Sequence, residues 1–314
     1  MTGLSDGETS TAQRAAHLCK ADLATQMVVE ITSLQGIMGR EYALKSGEDP
    51  VVAEVISDHY LPRFAGDAVS KTRVGLVVGT ANRLDSLAGL FAVGLAPTGS
   101  SDPYHLRRDA IGMVQNLIAH QLSFSVREGL AAAARLLPVE VSEDALSAAR
   151  DFVVERLRGI LREQGFRYDV VDAVLSARGD DPFRAQRAVE ELSRWVVRDD
   201  WSRILDNYAR CVRITRDLAE QFPLNPARFV QPAEEELYAA YQQARAQITA
   251  QGTVDEFFIA FLPLVDVIDG YFTRESGVMV MAEDKELREN RLAQLQHIAA
   301  LTDGIVDLSR LEGF

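Results

Sequence analysis

The chain has 314 residues, of which 47% are hydrophobic and 25% charged, the composition of an ordinary globular protein with room for two or three domains. Its formal net charge of −13 argues against a protein whose whole surface attracts nucleic acid. No apolar run approaches the roughly 18 residues of a membrane span, and the start does not resemble a signal peptide. We therefore expect no membrane association, and we interpret residues 1–14 as a polar N-terminal tail.

Two cysteines, Cys19 and Cys211, stand far apart in apolar helical contexts. Their spacing fits neither a zinc site nor a disulfide framework. Free cysteines of this kind are typical of a reducing compartment, so the expected location is the cytoplasm.

Helical periodicity runs through the first third of the chain. Apolar positions recur at helical spacing from Thr11 to Val29, and Pro50 is placed to open a helix that ends near Pro62. Residues 75–93 combine apolar and small side chains, which is typical of a helix buried on several sides.

A loop that ends at Pro103 precedes two adjacent arginines. The next helix is predicted to start at Pro103, with Asp102 or Ser101 as its cap. Arg107 and Arg108 then lie just beyond a helix start, whose free amides attract anions. The pattern fits an RNA phosphate site and a capped turn with solvated arginines equally well.

Amphipathic helices continue from about Leu122, and Gly165 ends a long one. The prolines of residues 222–232 mark the clearest boundary, and several helices follow in residues 233–314. No segment keeps the alternating pattern of a β-strand. The predicted fold class is therefore all-α.

Arginine supplies nearly all of the basic residues, which codon bias explains more simply than selection for RNA binding. Many arginines crowd the middle of the chain, interleaved with acidic residues, so a local basic face is one hypothesis. They are Arg184, Arg187, Arg194, Arg198, Arg203, Arg210, Arg213 and Arg216.

The aromatic residues are sparse. Tyr238 and Tyr241, like Phe257, Phe258 and Phe261, are helically spaced, which predicts a position in the core. Stacking of one of them on an unpaired base is the alternative.

The segment at 278–292, VMVMAEDKELRENRL, joins an apolar run to an acidic helix start at Glu283 and Asp284. Carboxylates favour the free amides at a helix N-terminus, and Arg288 and Arg291 then share a face. The pattern predicts a capped surface helix with salt bridges, although Arg291 also suits an internal bridge between helices.

The common nucleotide-binding and acyl-transfer motifs are missing. The sequence has no GxxxxGK[ST], no GxGxxG after a strand and no GxSxG, so no ATP site is expected in this chain. A helical metal phosphohydrolase of the HD type needs a His-Asp pair, but Asp58-His59 has the reverse order, and Asp22 and Asp85 have no such partner. We interpret the histidines as surface or core residues and expect no metal site.

Two stretches carry a family resemblance: ANRLDSLAGLFAVGLAPTGSSDPYHLRRDAIG at 81–112 and VMVMAEDKELRENRL at 278–292. They resemble the beta subunit of the bacterial two-subunit glycyl-tRNA synthetase. The resemblance implies an incomplete HD-like helical domain at 15–125, a helical middle region at 126–222, and a DALR-type anticodon-binding bundle at 232–314.

The chain departs from that family in two respects. Where the family usually reads Ala-Asp-Lys-Leu-Asp, residues 81–85 read Ala-Asn-Arg-Leu-Asp, and the loss of a carboxylate further weakens a metal site. Family members are also much longer at the N-terminal side, so we expect a truncated, split or naturally short form.

The resemblance implies a tRNA-binding portion of glycine–tRNA ligase without catalytic residues of its own. Its implied partners are tRNA(Gly) and a separate alpha subunit, in a tetramer of two alpha and two beta subunits, with ATP and Mg held by the alpha subunit. Candidate tRNA-binding residues are Arg288, Asn290 and Arg291 for the anticodon, and Arg107 and Arg108 for the phosphate backbone. The alternatives are a stand-alone RNA-binding protein that no longer serves charging and, less favoured, the HD-type phosphohydrolase.

Overall fold

A computed structural model describes residues 3–64, 66–249 and 251–314 of the chain. Over these ranges the chain forms fourteen α-helices joined by loops and short 3₁₀ turns, with no β-strand. An isolated bridge pairs Thr98 with Ser101. The predicted all-α class is confirmed. None of the helices in these ranges combines the length and the apolar character needed to cross a bilayer.

The chain divides into two compact units. Unit 1 takes the chain up to Ile160 together with Asp180–Arg184, and unit 2 contains Leu161–Gly179 and Ala185–Phe314. The domain boundaries implied by the family resemblance remain predictions, because compactness alone does not define them.

Unit 1 is built around one long apolar helix, α5. The helices that begin in this unit are α1 (Asp6–Leu18), α2 (Gln26–Glu30), α3 (Ile37–Lys45), α4 (Pro50–Asp58), α5 (Arg73–Ala92), α6 (Leu106–Ala119), α7 (Val126–Ala134) and α8 (Glu143–Glu163). Helix α5 packs against α1, α4, α6 and α7. Its residues Val74 and Val78 share a core with Ala15, Val52 and Ile56. The prediction of a helix buried on several sides is confirmed.

The polar N-terminal residues are helical from Asp6, so most of the predicted polar tail forms the first turns of α1. Ser5 and Glu8 form a capping box, in which the Ser5 hydroxyl accepts from the Glu8 amide and the Glu8 carboxylate accepts from the Ser5 amide. Such a cap satisfies two free donors and fixes where a helix begins. The spacing of apolar residues gives no sign of this capping box.

The helix predicted over Thr11–Val29 is interrupted by a 3₁₀ turn at Ala21–Ala24. There the buried Asp22 carboxylate accepts hydrogen bonds from the amides of Gly36, at 2.7 Å, and Gly39, at 3.2 Å. A short acidic side chain that bonds to distant main chain competes with helix continuation. This tertiary contact explains the break.

Helix α6 begins at Leu106 rather than at the predicted Pro103. Asp102 still caps it, because its carboxylate accepts from the amides of Leu106, at 2.9 Å, and Arg107, at 3.0 Å. His105, in the left-handed region at φ 59°, turns the chain into the helix. The predicted cap is therefore confirmed and the predicted start is wrong.

Two glycines let the end of α4 lie directly against α5. A Cβ at Gly75 would lie 2.0 Å from Oδ2 of Asp58, and a Cβ at Gly79 would lie 2.6 Å from the carbonyl oxygen of His59. At this distance the buried Asp58 carboxylate accepts hydrogen bonds from amides and hydroxyls of residues 70–72. The loop before α5 is thereby anchored on one carboxylate.

Unit 2 surrounds a second apolar helix, α13. Its helices are α9 (Tyr168–Arg178), α10 (Pro182–Trp195), α11 (Trp201–Thr215), α12 (Pro232–Gln247), α13 (Val254–Tyr271) and α14 (Lys285–Ala299), with α10 beginning in unit 1. Phe257, Phe258 and Phe261 on α13 are completely buried, so their predicted core position is confirmed. Helix α13 packs against α11 and α12, and α14 packs against the same two helices.

The proline-rich segment between α11 and α12 breaks the helical pattern as predicted. It is bonded within unit 2: the Phe222 amide donates to Gln296, at 3.0 Å, and the Asn225 amide donates to Asn290, at 2.7 Å. The segment is thus a docked loop whose main chain is satisfied by side chains of α14.

Both cysteines are free thiols in buried positions. Burial raises the pKa of Cys19, and it raises the pKa of Cys211 to about 12. Desolvation disfavours the charged thiolate, so both residues behave as small apolar side chains at neutral pH.

The change Gly75→Ala tests the close approach of α4 and α5. Alanine favours a helix by about 1 kcal/mol over glycine, but its Cβ would lie 2.0 Å from the Asp58 carboxylate. We therefore expect a net loss of about 2 kcal/mol in the free energy of unfolding, measured by urea denaturation followed by circular dichroism.

The matched control is Gly159→Ala in α8, where a new Cβ would meet no atom within 4 Å. Here only helix propensity changes, and we expect a gain of up to about 1 kcal/mol. Stabilisation by both changes would contradict the described packing at α5.

Candidate functional site

Helix α14 carries the residues predicted to read the anticodon, and it starts as predicted. The Asp284 carboxylate accepts from the Leu287 amide at 2.9 Å, which caps the helix. Further along, however, a run of polar side chains is buried: Asn290, Arg291, Gln294 and Gln296. A helix with the composition of a surface helix therefore forms part of the core of unit 2.

Arg291 forms an internal ion pair with Glu234 on α12. Its Nε lies 3.0 Å from Oε1 of Glu234, and the exposed fractions of the two side chains are 4% and 0%. Arg291 also donates to the carbonyl of Met279, and Glu234 accepts from the amides of Val230 and Gln231. Burial acts to raise the pKa of Glu234, but the hydrogen bonds from Arg291 and the two amides hold it below its usual value. The internal bridge foreseen as the alternative for Arg291 is the arrangement observed.

Asn290 is also occupied internally, while Arg288 reaches the surface. Asn290 is 3% exposed, and its side-chain oxygen accepts from the Asn225 amide. Both side chains are buried in internal contacts of unit 2, and their role in reading the anticodon stays a prediction. Arg288 is half-buried and donates one hydrogen bond, at 2.9 Å, to the carbonyl of Ala282. Of the three anticodon candidates, Arg288 is the one that is accessible.

A row of aromatic rings lies at the surface of unit 2, and we call it the aromatic row. Phe229, Tyr238 and Tyr241 are half-buried and His297 is exposed. Successive ring centroids in this order are 5.6, 6.4 and 5.6 Å apart. The predicted core position of the two tyrosines is wrong, because α12 buries its Leu237 and Ala244 instead. The polar, acidic composition of α12 was the available signal that this helix keeps one face in solvent.

The two arginines of α6 have different surroundings. Arg107 folds back onto its own loop, donating to the carbonyl of Gly99 at 2.6 Å and lying 3.8 Å from the Asp102 carboxylate. Arg108 is exposed and forms neither an ion pair nor a hydrogen bond within the described part of the chain. Because Asp102 already occupies the amides of the helix start, an anion has no access to them.

The arginine-rich middle of the chain is largely neutralised by neighbouring acids. Arg203 bridges Asp266, at 2.6 Å, and Asp269, at 2.7 Å, and Arg210 lies 3.0 Å from Asp269. Further ion pairs involve Arg187, Arg194, Arg198 and Arg216. The hypothesis of a basic face in this region is therefore wrong.

The carboxylates considered for a metal site serve the fold instead. Asp22 and Asp58 are buried and accept main-chain hydrogen bonds, whereas Asp85 is exposed. Across residues 3–64, 66–249 and 251–314, no group of three or more His, Cys, Asp or Glu side chains is arranged to hold a metal ion. The two buried acids act as anchors for loops of unit 1.

Residues 2–176, more than half of the chain, match the family described as glycyl-tRNA synthetase beta subunit. This chain belongs to the glycyl-tRNA synthetase beta subunit family. The resemblance noted in the sequence is thus confirmed.

Curated members of the glycyl-tRNA synthetase beta subunit family are similar along nearly the whole chain. The glycine–tRNA ligase beta subunit of Myxococcus xanthus is 40% identical over 98% of this chain and 45% of its own length. That of Moorella thermoacetica is 39% identical over 95% and 44%. The chloroplastic/mitochondrial glycine–tRNA ligase 2 of Arabidopsis thaliana is 36% identical over 96% and 28%. The chain therefore spans less than half the length of these relatives.

In this beta-subunit family member, the variants Arg291→Ala and Arg288→Ala separate an internal role from a surface role. Removing Arg291 leaves the Glu234 charge buried without its partner, which costs about 3–5 kcal/mol. Removing Arg288 breaks one hydrogen bond of a half-buried side chain and costs about 1 kcal/mol. Urea unfolding measures both values, and equal losses would contradict the assigned roles.

The same ion pair makes the stability of this chain depend on pH. Because the pKa of Glu234 is lowered from 4.5 in the folded state, its contribution is fully present above the unfolded-state pKa and is lost as the pH falls through the folded-state pKa. We expect Glu234→Gln to be less stable than the wild type at pH 7, with a difference that shrinks below about pH 4.5. A difference that stays constant from pH 7 to pH 3 would contradict this assignment.

Proposed function

We propose that this chain is a tRNA-binding portion of a glycine–tRNA ligase beta subunit, and that it supports the attachment of glycine to tRNA(Gly) by a separate alpha subunit. The similarity to curated beta subunits over nearly the whole chain carries this proposal. In this proposal the alpha subunit holds ATP and Mg, two alpha and two beta subunits assemble, and the complex works in the cytoplasm.

The aromatic row and Arg288 are the surface features of unit 2 that suit an anticodon loop. Unpaired bases of an RNA loop stack on aromatic side chains, and an arginine hydrogen-bonds to base edges or phosphate. Several other arginines of unit 2, Arg194, Arg203 and Arg210, are already paired with acids. Binding in this region therefore depends more on stacking than on release of counterions.

The variant Tyr241→Ala in the complex with the alpha subunit tests the aromatic row. Stacking of one base contributes about 1–3 kcal/mol, so we expect the Kd for tRNA(Gly) to rise about 5- to 150-fold. Tyr241→Phe keeps the ring, and its Kd should stay within about twofold of the wild type. Fluorescence anisotropy with labelled tRNA(Gly) and a non-cognate tRNA measures both. An unchanged Kd for Tyr241→Ala would contradict a role of the row.

Glycylation of tRNA(Gly) by the alpha subunit, with and without this chain, tests the wider proposal. Stimulation by the chain, together with a preference for tRNA(Gly), supports a beta-subunit function. Equal binding of both tRNAs without stimulation would favour a stand-alone RNA-binding protein that no longer serves charging.

A further inference from the structure

A cleft of about 620 Å³ opens in unit 1, whereas the aromatic row belongs to unit 2. Its walls come from five segments: the loop after α1, the turn after α2, the loop after α4, the middle of α5 and the start of α6. The volume lies within the range of small-ligand sites, which combine apolar walls with a few placed polar groups.

Positive charge is concentrated in this cleft although the chain as a whole is acidic. Lys20 and Arg108 line it and are exposed, and their side chains make neither an ion pair nor a hydrogen bond within the described part of the chain. Arg83, at the cleft floor, is 3% exposed and donates to three main-chain carbonyls without meeting a carboxylate there. Asp109 is the acidic residue of the lining. Burial raises the pKa of Asp109 despite the nearby Arg83, Lys20 and Arg108. The lining thus holds more cationic than acidic side chains, which favours an anion.

A buried acceptor without a partner marks the inner wall. His59 is 1% exposed, and its Nδ1 lies 2.8 Å from the carbonyl oxygen of Ile56. Burial lowers the pKa of His59 to about 4, so the ring is neutral at pH 7 and Nδ1 carries the proton. Nε2 is then an acceptor, and it has no hydrogen-bond partner. An ionised phosphodiester oxygen has no proton to donate and cannot satisfy it, whereas a hydroxyl or amino group can.

Aromatic surface is available at the mouth. The rings of Tyr104 and Phe64 line the cleft with exposed fractions of 49% and 60%. Tyr60 stands next to His59, with ring centroids 3.9 Å apart, and its ring fills the place that a Cβ at Gly36 would occupy, at 2.5 Å. Gly36 has φ +77°, which only glycine adopts easily. The inner ring is thus fixed, while the outer rings are free to stack.

We propose that this cleft holds one unpaired nucleotide of an RNA strand, with its phosphate at Lys20 and Arg108 and its base against Tyr104 or Phe64. A ribose hydroxyl or an exocyclic amino group donates to Nε2 of His59. The assignment rests on the proposed function in one respect, the choice of RNA as the source of the nucleotide. Free mononucleotides offer the same chemistry and serve as probes.

The test compares binding of four probes to the full 314-residue chain by calorimetry: AMP, a single-stranded tetranucleotide, a blunt RNA duplex and inorganic phosphate. The double variant Lys20→Ala/Arg108→Ala should weaken the tetranucleotide about tenfold or more, because two phosphate contacts are lost. The matched control Lys45→Ala/Arg135→Ala removes two exposed cations outside the cleft lining and should change binding less than about twofold.

Tighter binding of the tetranucleotide than of the duplex or inorganic phosphate, lost in the cleft variant alone, supports the proposal. A tetranucleotide that binds no better than phosphate, or that is insensitive to the double variant, overturns it. Nitrogen-15 NMR gives an independent reading: the Nε2 resonance of His59 should shift on addition of AMP, and an unchanged resonance would contradict the contact with His59.

Binding of tRNA(Gly) to the complex with the alpha subunit separates this proposal from the wider one. One outcome is that Lys20→Ala/Arg108→Ala binds tRNA(Gly) as tightly as the wild type does, and that the wild type does not bind the tetranucleotide. This outcome would contradict the cleft proposal and leave the proposed beta-subunit function unaffected. If the chain binds the tetranucleotide at the cleft but has no affinity for tRNA(Gly), the beta-subunit proposal is contradicted instead. The source of the nucleotide would then be a single-stranded RNA other than tRNA(Gly).

Discussion

The matching of buried charges by internal partners organises both units. In unit 2, Arg291 and Glu234 are removed from water together, and each is also hydrogen-bonded to the main chain. In unit 1, Arg83 binds the carbonyls of His59, Tyr60 and Leu61, and Asp58 binds the loop before α5. A buried charge that loses its partners costs several kcal/mol. Helices and loops that supply these partners are therefore held in one arrangement.

This requirement also determines which cations remain available for a ligand. Arg291 and Arg203 are committed to acids, and Arg107 is committed to its own loop. Lys20 and Arg108 carry no such commitment in the described part of the chain. In a protein of net charge −13, a few cationic side chains at defined positions are thus left to contact a ligand. This arrangement favours recognition of particular nucleotides over general attraction to RNA.

The helical class and the core followed directly from apolar spacing. Residues 75–93 and the phenylalanines of α13 are buried as predicted, because a stripe or full circumference of apolar groups has few alternative placements. The start of α1 depends on reciprocal side-chain bonds at Ser5, and the break at Asp22 depends on amides far along the chain. The spacing of apolar residues reveals neither the side-chain cap nor the long-range hydrogen bonds.

The candidate site was harder to predict than the fold. The charged sequence of α14 fits a solvated helix and a buried polar one equally well, and only the position of Glu234 on another helix decides between them. For Tyr238 and Tyr241 the error was the opposite, since residues predicted to be buried lie partly at the surface. Helical spacing shows that they share one face of α12, but it does not show whether that face meets the core or the solvent. The cleft in unit 1 combines residues from five separate segments, so no local sequence motif indicates it.

The burial of both cysteines makes this chain well suited to site-directed labelling. The reactive form of a cysteine is the thiolate, and burial keeps Cys19 and Cys211 protonated and inaccessible at neutral pH. A cysteine introduced at an exposed position would then react with a maleimide or spin label against a low background. The native thiols need not be replaced, and distances between the two units can be measured in the otherwise unaltered protein.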